Sequence, residues 1–184
     1  MSEPSQLIAR FHLSAAQHQR FLEHVITPAK QYADFVDWLA AGQFYGKDTP
    51  GIEEKILNNA PHGTSVQHWL TELVDTCRYG PLINQYDEAT GEWTLTVVDF
   101  SESYGNFVDA LNVLRQISAF KDLPEPDYIV IMDNWFSATG FANTTAIIEV
   151  TPGASRFVEQ APEDFQRWTA EKYAIMAEME IEED

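Results

Sequence analysis

The sequence predicts an α+β fold: an antiparallel β-sheet of about five strands, built from two hairpins plus an N-terminal strand, packed against several helices on one face. Three patterns carry that expectation. Apolar residues recur at helical spacing through most of residues 1–80, β-forming runs separated by turn residues come in pairs after residue 81, and one amphipathic segment follows the strands. A chain of 184 residues, 45% apolar with five tryptophans, suffices for one packed core. A single domain is therefore expected over 1–177, helix-rich to residue 80 and acidic and strand-rich beyond it.

Leu7 to Leu13 carries Ile8, Phe11 and Leu13 in a short strand-like run. Ser14 with Gln17 forms a capping box, so a helix starts at Ala15 and sets Phe21, Leu22, Val25 and Ile26 on one face. Pro28 either kinks that helix or opens a new one, whose stripe runs through Tyr32, Phe35, Val36 and Leu39 to a stop at Gly42. Thr49-Pro50 opens a short helix containing Ile52 and Ile56. Thr64 with Gln67 is read as a second capping box ahead of the cleanest periodicity in the chain: Val66, Trp69, Leu70, Leu73, Val74 and Cys77. Gly80-Pro81 ends it.

Leu82 to Tyr86 and Glu92 to Phe100 flank a loop that finishes in Gly91, the arrangement of a β-hairpin. Ser103 is positioned to cap a helix from Tyr104 to about Lys121, closed by Pro124 and Pro126. Tyr128 to Met132 is apolar on both faces, so it belongs at the centre of the sheet, with Thr145 to Val150 as its antiparallel neighbour. Pro162, followed by Glu163 and Asp164, begins a last helix, and the tail 178–184 is expected to be disordered.

Charge is the most unusual global property. The chain carries 11 lysines and arginines against 29 aspartates and glutamates, net −18. Residues 1–80 hold −3 of this and residues 81–184 hold −15, of which the last seven residues supply −5. Such a surface repels nucleic-acid phosphate and anionic lipid, and it accelerates encounter with a basic partner. No stretch has the roughly 18 consecutive apolar residues that span a bilayer, and the polar start lacks a leader-like pattern. One cysteine, Cys77, offers no intrachain disulfide. A cytoplasmic protein that binds neither membrane nor nucleic acid is expected.

Motifs for chemistry are sparse. Neither a GxGxxG nor a GxxxxGK[ST] loop occurs, and no GxSxG elbow. The histidines fall at 12, 18, 24, 62 and 68 without zinc-ligand spacing, so no metal and no cofactor are expected. Asp99, Glu102 and Asp133 lie near strand ends, where a carboxylate pair for a hydrolase would sit. Trp135, Phe136 and Phe141 put three large aromatics in one connection between apolar strands, the make-up of an interface anchor inside a charged border.

The leading expectation is a non-enzymatic acidic module that captures a basic protein, as inhibitors and immunity-type proteins do. Trp135, Phe136 and Phe141 would supply its apolar contacts, and Asp87, Glu88, Glu92, Asp127, Asp133 and Glu149 its field. A hydrolase-like enzyme with scattered carboxylates and a structural or regulatory subunit of a homo-oligomer are the alternatives.

Overall fold

The computed structural model describes residues 4–76, 82–133 and 144–182. Six strands form one antiparallel sheet: β1 (Ser5–His12), β2 (Leu82–Asp87), β3 (Glu92–Ser101), β4 (Asp127–Asp133), β5 (Thr144–Thr151) and β6 (Ala154–Phe157), in the order β2-β3-β1-β4-β5-β6. The N-terminal strand thus occupies the middle. Its sequence accounts for this, because Leu7, Ile8, Ala9 and Phe11 are buried on both faces, as a central strand requires. One strand exceeds the expected five: Thr151-Pro152-Gly153 turns the chain, with Gly153 at φ 72, into the four-residue β6.

Five helices cover one face: α1 (Ala15–Glu23), α2 (Asp34–Ala41), α3 (Ile52–Asn59), α4 (Val66–Thr76) and α5 (Tyr104–Arg115). Phe11, Phe21, Phe35 and Trp93 are fully enclosed between them and the sheet. Each phenylalanine contributes roughly 1.5–3 kcal/mol of burial. The Ser14–Gln17 capping box forms as the sequence predicts. α4 starts one residue later than expected, since the Ser65 hydroxyl, rather than that of Thr64, accepts the His68 N–H at 3.2 Å. α1 ends at Glu23, so Val25 leaves the helical face and is exposed, while Pro28 precedes a single 3-10 turn, Ala29–Gln31. Val74 is likewise exposed at the margin of its stripe, and Cys77 lies outside the described residues. The helix after Ser103 tightens into a 3-10 turn, Gln116–Ala119.

The second face is not left open. Ile8, Tyr128, Val130, Met132 and Ile147 pack with Ala161 and Phe165, at the start of α6 (Glu163–Glu182). The expectation of helices on one face is corrected by β4, whose two apolar faces both need cover. α6 continues to Glu182, five residues into the segment expected to be disordered, where glutamate and methionine favour the helix.

Two polar clusters tie the layers together. Arg115 is completely buried, donates to both Asp34 carboxylate oxygens (2.9 and 2.8 Å) and to Ser155, and lies 4.0 Å from the Tyr32 ring centre. It joins α5 to α2 and β6. Gln116 accepts from Thr27 (N–H 3.0 Å, hydroxyl 2.9 Å), while Asn112 donates to the carbonyls of Thr27 and Pro61, fixing the α1–α2 connection onto α5.

Candidate functional site

Most of the carboxylates lie singly on the surface, but α4, α5 and the end of β3 bring three around one cleft. Its volume is about 400 Å³. Trp69, Leu73, Phe100 and Pro61 form apolar walls, and Glu72, Asp99, Asp109 and Asn106 supply the polar groups. Glu72 follows Trp69 by three residues and Asp109 follows Asn106 by three, so each pair shares a helix face and projects to the same side. No lysine, arginine or histidine is among the described residues lining the cleft.

Asp109 is the deepest of the three. Burial pushes its carboxyl from 3.8 up to about 6, and no neighbouring carboxylate contributes to that rise. Glu72 and Asp99 line the same cleft. Among the described residues, no hydrogen bond or ion pair satisfies Asp109. The cleft is negative, partly desolvated and has apolar walls, which suits an amine or guanidinium lying against an indole ring.

Asp99 is the one non-glycine residue with positive φ among those described, at 55°. A left-handed aspartate is tolerated at a modest cost because its short side chain bonds locally. The conformation falls where the register of β3 with β1 shifts, between Val97 opposite Leu7 and Ser101 opposite Ser5, and the Ser101 hydroxyl beyond it accepts from the Ser103 N–H (3.0 Å) and the Asn106 amide (2.8 Å). Ser103 itself occupies the N-cap of α5 without a side-chain capping bond, contrary to expectation.

The other acids take different roles. Asp127 is buried: its carboxylate sits 2.7 Å from the equally buried Lys121 ammonium, accepts the His12 main-chain N–H at 3.0 Å and lies 2.8 Å from His12 Nδ1. It is a structural anion and cannot contribute a surface field, because Lys121 needs its charge. Glu149 is half-buried and engaged with Arg156 (2.8 Å) and the Tyr128 hydroxyl (3.3 Å), which burial and Glu149 together push up to about 12. Asp87 and Glu88 stand exposed at the β2–β3 turn. The Ala89 N–H and the Thr90 side chain hold Asp87 below the usual carboxylate range. Glu92 pairs loosely with His12 at 3.6 Å. Asp133 closes β4 opposite Ser5, and Trp135, Phe136 and Phe141 lie outside the described residues. Asp99 lines the cleft, whereas Glu102 borders a separate cavity with Phe44, Ile52 and Tyr104.

Asp109, Glu72 and Trp69 are the residues that the sequence reading missed. A signal existed for the first: Asp109 interrupts the core run Phe107, Val108, Ala110, Leu111 with a carboxylate. Among the described residues, no group of three metal-ligating side chains occurs and no helix is long and apolar enough to cross a membrane. No protein-family model, curated protein or solved structure matches this chain, so the reading of the site rests on its own chemistry.

Proposed function

We propose that this protein is an acidic capture module for a basic protein, and that the cleft between α4 and α5 receives a lysine or arginine side chain of that partner. The observation that supports this reading is Asp109, a carboxyl held at about 6 by burial in a cleft whose described lining contains no cation. An entering cation would stabilise its desolvated carboxylate, so part of the binding energy comes from relieving an unfavourable state of the free protein. The net charge of −18 supplies long-range attraction, and the cleft supplies a place for it to become specific.

The test uses a nona-arginine peptide titrated against the full chain at low salt and at about 0.5 M salt, where the Debye length shrinks to a few ångströms. Low-salt binding should weaken at least fivefold in the Glu72→Gln, Asp109→Asn double variant. Removing residues 178–184, which carry −5, should change it less than the two cleft substitutions do. If deleting the tail costs as much as altering the cleft, the attraction is generic and the proposed site is wrong.

A further inference from the structure

A sheet edge is a row of main-chain donors and acceptors, and proteins guard such edges with lysine, proline, a bulge, a covering segment or very short length. The two edges of this sheet differ in that respect. β6 is four residues long, Arg115 takes up its Ser155 carbonyl, and Arg156 stands beside it. Among the described residues β2 has none of these devices: Leu82, Ile83, Asn84, Gln85, Tyr86 and Asp87 include no lysine or proline, and the register with β3 runs without a bulge. Among the described residues no main-chain group pairs with its outer side.

The strand is nevertheless held firmly on the helix side. The Tyr86 hydroxyl donates to the Leu13 carbonyl at 3.0 Å and its ring stacks on His18 at 4.6 Å, while the Asn84 side chain accepts from Trp93 Nε1 at 2.8 Å. Its edge is therefore a formed template that loses little entropy on accepting another strand.

Charge runs along both ends of it. Leu82 pairs with Val97, two residues before the cleft aspartate Asp99, and the far end of β2 runs into Asp87 and Glu88, with Glu92 opposite. Six residues of strand span roughly 20 Å, so an extended segment laid along β2 would run from the acidic turn at Asp87 and Glu88 toward the end of the sheet where β3 carries Asp99. We propose that β2 accepts an extended, lysine- or arginine-bearing segment of the partner as a seventh strand of the sheet, with main-chain bonds fixing its register and the two acidic groups selecting its charge. This rests on the reading above that the partner is basic.

The experiment uses a nine-residue peptide alternating lysine and threonine, and the same peptide N-methylated at every second residue, which keeps the charge and removes the donors on one side. The unmodified peptide should bind at low salt and slow hydrogen exchange at the outward amides of β2 without doing so at β6. N-methylation should weaken binding at least tenfold. Equal affinity for the two peptides would overturn strand addition and leave capture of basic proteins standing, whereas binding of neither would sink both. Protection of the β2 amides in the free chain, accompanied by dimerisation in sedimentation, would show that the edge belongs to a second copy and overturn the assignment.

Discussion

Replacing Asp109 with asparagine should make the protein more stable at neutral pH, which is unusual for a substitution in a half-buried position. In the unfolded chain this carboxyl ionises near 3.8, and in the fold near 6. Between those values the native state keeps a proton that the unfolded chain has lost, so its contribution to stability falls as pH rises from about 4 to about 6 and stays low above that. A displacement of that size corresponds to about 3 kcal/mol. The cleft is open to water, and screening there reduces the expected gain for Asp109→Asn to about 1–2 kcal/mol. For a chain of this length that is roughly 3–6 °C in Tm. Thermal unfolding of both forms at pH 8 and pH 4 is the assay: the variant should lead at pH 8 and match the wild type at pH 4. A variant that is no more stable at pH 8, or one whose lead persists at pH 4, would refute the desolvation argument.

Three other substitutions probe the remaining buried polar groups. Asp127→Asn leaves the Lys121 ammonium buried beside a neutral amide and should cost about 3–5 kcal/mol in urea unfolding; an unchanged midpoint would mean the pair carries no structural load. His18 is held below 6.5 by burial, stacked on Tyr86 and tilted against Trp93, with Nε2 enclosed and unpartnered among the described residues. Its contribution is full above pH 6.5 and is lost as pH falls through the folded value, because the unfolded chain takes up the proton first. His18→Phe should therefore unfold with a flatter pH profile than the wild type between pH 6.5 and 5, and identical slopes would contradict this. Gln6 is fully buried with neither amide atom bonded, so Gln6→Met should raise stability by about 1–2 kcal/mol; a loss in denaturant titration would show that the amide is satisfied in solution.

Local signals were readable in the sequence wherever a single element suffices to specify them. The Ser14–Gln17 box, the doubly apolar β4 and the left-handed Gly91 at φ 68 all form as patterned. What was not readable depends on contacts between distant elements. β1 sits between β3 and β4, a placement that follows from pairing across more than 80 residues. Asp127 looked like a surface charge because nothing in its neighbourhood announces that Lys121, six residues earlier, turns back to bury both. The cleft was hidden for the same reason, since Glu72, Asp99 and Asp109 come from three elements and only the fold brings them together. β6 was missed because four residues, Ala154–Phe157, are too few to show alternation.

The costs left unrelieved in this fold are not scattered evenly. Asp99 holds a left-handed backbone, Asp109 holds a desolvated carboxyl, and β2, next to the strand that carries Asp99, has no partner on its outer edge among the described residues. Each could be removed by a simple substitution: glycine at 99, asparagine at 109, a lysine or proline on β2. Elsewhere the chain surrounds a buried guanidinium with partners, as Arg115 shows, while Gln6 and His18 keep enclosed polar atoms without a described partner. Under the proposed function, the three features beside one another exchange local stability for a working surface. The three features are linked: if the cleft and the edge serve one partner, relieving Asp109 should weaken that partner's hold while stabilising the free protein, and a substitution that improved both would break the link.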